Sequence, residues 1–248
     1  MSRVILITGA SRGIGRSAAV LAGKRGWSVG VNYASNARAA DETVAAVRAA
    51  GGKAIAIESD VSDEAAIIAM FDATEQAFGK LDGVVNNAGI VAPGSALADM
   101  DTARMKRIFD INVLGAYLCA REAARRMSVS RGGRGGSLVN VSAAAARLGG
   151  PNEYVDYAGS KGAIDTLTLG LSKELGREGV RVNAVRPGLI ETDIHASGGK
   201  PDRAQVLGAQ TPIGRPGTAD EVGESIVWLL SDESSYVMGA ILDVAGGG

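Results

Sequence analysis

The chain is poor in the residues that build the commonest metal and disulfide sites. Its 248 residues include one cysteine, Cys119, and one histidine, His195. A single thiol rules out a disulfide framework, and with a single imidazole it leaves too few soft ligands for zinc. Aromatic residues make up only 4% of the chain. No charge of one sign prevails: 26 Lys and Arg face 27 Asp and Glu, a formal charge of −1. That balance leaves no electrostatic footprint for nucleic acid. No apolar run approaches the roughly 18 residues of a membrane span. The run Val4 to Ile7 is too short for the core of a secretory signal. These absences argue for a cytoplasmic protein without nucleic-acid, membrane or metal partners. Hydrophobic residues reach 46%, too many for a disordered chain. Glycine is abundant, at 35 residues.

Short apolar runs alternate with helical patterns along the whole length. Strands are expected at residues 3–8, 27–32, 53–58, 81–86, 137–142, 180–185 and 237–244. Helices are expected at 13–25, 37–50, from an N-cap at Ser62 to Phe78, over 102–127 as one bent or two short helices, at 154–176 and at 219–230. The strands are continuous Val/Ile/Leu runs, the pattern of strands covered on both faces. Seven of them separated by helices predict an α/β fold, a doubly wound parallel sheet with helices on both faces, in one domain over 1–248. Residues 191–218 read as a long irregular stretch rich in Gly and Pro. It leaves the carboxyl edge of a strand, where such sheets bind ligands. A substrate lid is the preferred reading; a surface insertion is the alternative.

The first strand runs into Thr8-Gly9-Ala10-Ser11-Arg12-Gly13-Ile14-Gly15, which opens a helix. Glycines let the backbone turn tightly and approach a pyrophosphate, and the helix N-terminus offers free N–H groups. No Gly-Lys-Ser/Thr follows, so this is not a P-loop. After the second strand come Asn32, Tyr33 and Ser35, with no acidic residue before Asp41. An NAD site places an acid near here for the ribose hydroxyls. Arg12, Ser35 and Arg38 instead offer cations and a hydroxyl, a set suited to the 2′-phosphate of NADP(H). Tyr157 and Lys161 are four residues apart in a helical pattern and share one face. An ammonium beside a phenol lowers the phenol's pKa toward working pH and makes it an acid/base for a carbonyl oxygen. By itself, that spacing arises by chance too often to carry the reading.

In order along the chain stand the glycine loop, Asn86-Asn87-Ala88-Gly89, Asn112, Ser142, Tyr157 with Lys161, and Pro187-Gly188. Together they closely resemble the short-chain dehydrogenase/reductase family over essentially the full length. The resemblance implies an NADP(H)-dependent oxidoreductase that interconverts a small-molecule carbonyl and alcohol, usually as a dimer or homotetramer. It implies Tyr157 as acid/base, Lys161 as ligand of the nicotinamide ribose and tuner of Tyr157, and Asn112 as holder of a relay water. Asp60 and Val61 would meet the adenine, unless Asp60 only braces its own loop. Asn86, Ala88 and Gly89 would line the cofactor cleft, and Ile190 and Thr192 would meet the nicotinamide amide.

Two alternatives stay open. One is a 3-oxoacyl-(acyl carrier protein) reductase, whose partner would dock on Arg121, Arg125, Arg126, Arg131 and Arg134 unless these form a solvated face. The other is a dinucleotide-binding sensor with impaired chemistry. The family's catalytic Ser follows the pattern Asn-x-Ser-Ser, and this chain reads Asn140-Val141-Ser142-Ala143. Ser142, the Ser candidate in that stretch, is expected to substitute as a catalytic residue, the strand end twisting to bring it in; the alternative is that it faces away, as strand alternation dictates. His195 is expected to be solvent-exposed in the lid, and Cys119 to be a small buried hydrophobe.

Overall fold

The computed structural model describes residues 2–248. Seven parallel strands form one sheet in the order β3-β2-β1-β4-β5-β6-β7. The strands are β1 (Val4–Ile7), β2 (Ser28–Tyr33), β3 (Lys53–Glu58), β4 (Gly83–Asn86), β5 (Gly136–Val141), β6 (Val180–Pro187) and β7 (Ile241–Val244). The helices are α1 (Gly13–Lys24), α2 (Ala37–Ala49), α3 (Glu64–Phe78), α4 (Thr102–Phe109), α5 (Ala116–Met127), α6 (Ala145–Leu148), α7 (Val155–Leu175), α8 (Ile194–Ser197), α9 (Arg203–Gly208) and α10 (Ala219–Leu230).

Strand alternation explains why both faces must be covered. Ile5 and Ile7 of β1 pack with Ala18, Leu21, Val222 and Ile226 of α1 and α10. Val4 and Leu6 point the other way, into Ile67, Phe71 and Cys119 of α3 and α5. Adjacent residues on one strand thus feed two separate cores. Each large side chain buried this way contributes about 1.5–3 kcal/mol. The strand order reverses between β1 and β4, which opens a crevice at their carboxyl ends.

Three sequence expectations change. The N-cap of α3 is Asp63, whose carboxylate accepts from Ala65 N and Ala66 N. Ser62 instead donates its hydroxyl to Asp60. The last strand starts only at Ile241, because Gly239 turns with φ +69 just before it. Residues 102–127 agree with the expectation of two helices: α4 and α5 are joined through a π-helical segment at Asp110–Gly115. The stretch 191–218 is not irregular throughout. It carries α8 and α9, and a parallel bridge between Ile190 and Gly217 ties its two ends together.

Candidate active site

The turn from β1 to α1 is built by close backbone approach. Gly9 and Gly13 adopt φ +62 and +55, conformations that favour glycine. A Cβ on Gly15 would lie 2.5 Å from the Gly9 carbonyl oxygen, so that position admits no side chain. The loop is braced from two sides. Gly9 N donates to Asn32 Oδ1 at 3.0 Å, and Asn32 Nδ2 donates to the Ser59 carbonyl at 3.0 Å. Asn87 Nδ2 donates to the carbonyls of Thr8 and Gly9, while Thr8 Oγ1 accepts from the backbone N–H of Asn87 and Ala88. Asn32 is therefore a buried brace. Thr8 and Asn87 escaped the sequence reading as site residues, although both sit inside its two quoted motifs. The first turn of α1 carries neither a side-chain cap nor an acidic residue. Its leading N–H groups and positive dipole end face the crevice side of the loop, a cradle that fits a pyrophosphate. Ser11 lies in that loop, its carbonyl accepting from Thr43 Oγ1 at 3.2 Å. Ile14 packs partly against the core.

The margin beyond β2 is mixed in charge. Arg12 is exposed and makes no ion pair among the described residues, whereas Arg38 pairs with Glu42 at 2.9 Å. Ser35 is exposed. Register places Glu58, the last residue of β3, opposite Tyr33, and the phenol lies 3.4 Å from its carboxylate. Partial burial, then the charge of Glu58 and more weakly that of Asp41, raise the Tyr33 phenol above its ordinary pKa. Glu58 is invisible to a search just after β2, because only strand pairing brings it there. Asp60 braces its own loop by accepting from Ser62 N and Oγ. Val61 is buried, and its carbonyl lies 2.5 Å from where a Cβ on Gly115 would stand, locking the π segment against it.

Tyr157 and Lys161 occupy one face of α7. Lys161 is buried, and its Nζ donates to the Val141 carbonyl at 2.8 Å, 5.7 Å from the Tyr157 ring centroid. A Cβ on Gly89 would meet Asn112 Oδ1 at 3.3 Å and Lys161 Nζ at 3.4 Å, so these three residues converge. The π segment carries Asn112 inward, as such bulges often do at functional sites. Asn112 Oδ1 accepts from Ile90 N, and Nδ2 donates to Ile90 O and Ser160 Oγ. Asn86 Nδ2 donates to the Ala116 carbonyl and to Asn140 Oδ1, which locks β4 to α5 and β5. Burial pushes the Tyr157 phenol up to about 12. Burial also pushes the Lys161 ammonium down to about 8, against the opposing pull of Asp165. This shift runs opposite to the lowering expected from the sequence, and Lys161 directs its protons at Val141.

Ser142 is buried, and its hydroxyl donates to the Lys161 carbonyl at 3.2 Å. The strand end does not twist it into the crevice, which corrects the expectation that it replaces the family Ser. Across the crevice, Gly188 lies so close to Ala245 that a Cβ would approach within 2.8 Å. Pro187 closes β6, Ile190 is buried, and Thr192 stands over the glycine loop, its Cγ2 3.4 Å from a Cβ built on Gly13. His195 is half-buried rather than exposed: Nε2 donates to the Ile190 carbonyl at 2.8 Å, and burial lowers its pKa. Cys119 is buried. The arginine cluster is largely neutralised: Arg121 pairs with Glu64, Arg125 with Glu122, Arg126 with Asp72 and Glu75, and Arg134 with Asp82.

This geometry has close counterparts. A family model described as "Enoyl-(Acyl carrier protein) reductase" matches residues 9–248. The chain belongs to the short-chain dehydrogenase/reductase family. As such an oxidoreductase it is 50% identical over 244 residues to an uncharacterized oxidoreductase, YgfF, of Escherichia coli K12, covering 98% of this chain and 99% of that protein. A 3-ketoacyl-(acyl-carrier-protein) reductase from Brucella melitensis, solved with NADH, superposes with a TM-score of 0.90 at 30% identity, covering 99% and 97% of the two chains. A short-chain dehydrogenase from Burkholderia cenocepacia, solved with NADP, gives 0.90 at 31% identity with the same coverage. Enzymes of this fold thus hold either dinucleotide. Among the described residues no helix of this oxidoreductase is long and apolar enough to cross a membrane.

Proposed function

We propose that the protein interconverts a small carbonyl compound and its alcohol by hydride transfer with NADP(H), using Tyr157 as acid/base. The observation that carries this is the convergence of Tyr157, Lys161, Asn112 and Gly89 beside the glycine cradle. The nicotinamide supplies or takes up the hydride when bound. Gly9, Ser11, Gly13, Ile14 and Gly15 would hold the pyrophosphate, and Arg12 with Ser35 the 2′-phosphate. Asp60 and Val61 would border the adenine, Ala88 and Gly89 the ribose side, and Pro187, Gly188, Ile190 and Thr192 the nicotinamide. Lys161 would hold the ribose through its ammonium. A phenol protonated at neutral pH suits Tyr157 as proton donor to the carbonyl oxygen in reduction. Asn112 Oδ1 keeps one lone pair after bonding Ile90, which is what remains for a relay water.

Two observations favour second readings. Glu58 beside Tyr33 favours ribose hydroxyls, and so NAD(H), over a 2′-phosphate. The displaced Ser142 and the methyl group of Ala143 leave Tyr157 as the side-chain donor, which favours a slow enzyme or a sensor. The paired arginines weaken the carrier-protein alternative. We also propose a cytoplasmic homo-oligomer, because Leu169 of α7, Trp228 of α10 and Leu242 of the edge strand β7 stand exposed. Assaying a panel of ketones, aldehydes and secondary alcohols with both cofactors tests the reading. Turnover with NADPH supports it; tight cofactor binding without turnover of any compound supports the sensor.

A further inference from the structure

His195, the chain's single histidine, stands in α8, five residues past Ile190. Its Nε2 lies 2.8 Å from the Ile190 carbonyl oxygen. A carbonyl only accepts, so Nε2 carries the proton and the ring acts as a donor there. The peptide between Ile190 and Glu191 is thereby held at both ends. Its N–H, that of Glu191, donates to the Gly217 carbonyl at 2.9 Å, and Gly217 N donates to the Leu189 carbonyl at 2.9 Å. Those two bonds make the parallel bridge between Ile190 and Gly217. They use the groups on either side of Ile190, so its own N–H and C=O point away from Gly217 and share the opposite edge of the chain. His195 takes the C=O of that edge. The N–H donates to no backbone carbonyl among the described residues. Two residues on, Thr192 stands over the glycine loop. The His195 main chain is fixed as well, its carbonyl accepting from Lys200 N at 3.0 Å.

We infer that His195 is a positioning residue for the nicotinamide end of the cofactor: it occupies the acceptor of the Ile190 edge and leaves the N–H as the group the cofactor meets. This rests on the proposed place of Ile190 and Thr192 beside the nicotinamide. The consequence is a choice of polarity. A nicotinamide carboxamide presents both an acceptor oxygen and a donor NH2. An edge whose carbonyl is engaged offers a donor alone, so it pairs with the oxygen and fixes one orientation of the amide. Without His195 the freed carbonyl competes for the NH2, and the peptide is held at its N–H end only.

The test is calorimetric titration of the full-length protein with NADPH and with 2′-phospho-ADP-ribose, which lacks the nicotinamide. NADH and ADP-ribose serve as the pair if the protein prefers NAD(H). In His195→Leu, which fills space without a donor, NADPH binds about five- to tenfold more weakly, the worth of one hydrogen bond. The fragment binds that variant as it binds the wild type. His195→Gln, whose amide N–H has a similar reach, restores NADPH binding. His195→Asn, too short to reach the carbonyl, replaces the Leu variant if that one does not fold. A loss confined to NADPH and recovered by Gln supports the inference, since a merely structural residue would weaken both ligands alike or neither. Equal losses, no loss, or no recovery in His195→Gln overturn it. A wild type that binds the fragment as tightly as NADPH overturns the placement of Ile190 and Thr192 itself, and does so before any variant is made.

Discussion

The hydroxyl of Ser142 donates to the main-chain carbonyl of Lys161 at 3.2 Å, while the Lys161 ammonium donates to the carbonyl of the preceding residue, Val141, at 2.8 Å. The end of β5 thus grips both ends of one lysine. This fixes the ammonium beside Gly89 and Asn112, and it takes the Ser142 hydroxyl out of the chemistry. Ser142→Ala should accordingly act on stability. Losing one buried hydrogen bond lowers it by about 1 kcal/mol, a fall in Tm of roughly 2–4 °C for a chain of this size. The kcat should change little. Ala143→Ser should raise turnover by up to about 10²-fold, the scale of an oxyanion-type donor. A large loss of kcat in Ser142→Ala with an unaltered Tm would return Ser142 to the catalytic set.

In the proposed reading, cofactor choice rests on Arg12 against Glu58. Arg12→Ala should weaken NADPH by about tenfold or more, the worth of a charge-assisted bond, and NADH little. Glu58→Gln should strengthen NADPH by relieving repulsion of the 2′-phosphate. Equal effects of Arg12→Ala on the two cofactors, measured as Kd, would show that Arg12 does not read that phosphate.

The stretch 191–218, a lid in the proposed reading, is tied down through Glu153, whose carboxylate binds Lys200 and, at 2.6 Å, Arg203. Its backbone carbonyl accepts from Ser95 N, and Tyr154 next to it donates to the Gly198 carbonyl. Hydrogen bonding by Lys200, opposed by burial and reinforced by the bond and charge of Arg203, holds the Glu153 carboxyl below its usual range. The latch is then fully present above the ordinary carboxylate pKa and is lost as pH falls through the depressed value. Limited proteolysis of residues 198–203 should accelerate at that acidic limb. Glu153→Gln should show the faster cleavage already at pH 7, with a raised KM. Cleavage that is independent of both pH and Glu153 would remove the latch.

Cys119 lies in the core under β1 and α3, and burial, then the charge of Glu122, pushes its thiol up to about 12. The thiolate is the reactive form. A disulfide reagent should therefore leave the native protein unmodified and label one thiol after denaturation. Rapid labelling of the native state would mean that this helix layer opens readily.

Most of the frame was legible because the sheet is buried on both faces. Runs such as Val4 to Ile7 and Val180 to Val185 leave little choice but a central parallel strand, and the glycine loop falls where the first of them ends. What could not be read depends on pairing across the chain. Glu58 meets Tyr33 only through the register of β3 on β2, and Arg186 meets Asp165 only when β6 lies under α7. The direction of Ser142 hung on a single residue of strand phase. The Tyr157 phenol was misjudged for a related reason. Spacing reveals that Lys161 is near, but not that the ammonium is directed at Val141. Residues 191–218 read as irregular because their two helices are short and stand between glycines and prolines.

The proposed hydride-transfer reaction stands most directly on Tyr157. Tyr157→Phe removes one hydroxyl and keeps the ring beside Lys161, so kcat for carbonyl reduction and Kd for the cofactor can be measured on the same protein. With Tyr157 as acid/base, kcat falls roughly 10²–10⁴-fold, the usual worth of a general acid, with a nearly unchanged Kd. Tyr154→Phe, which loses only the bond to Gly198, should remain far more active. Full turnover in Tyr157→Phe, or a deeper loss in Tyr154→Phe, would contradict the assignment of Tyr157 as the acid/base.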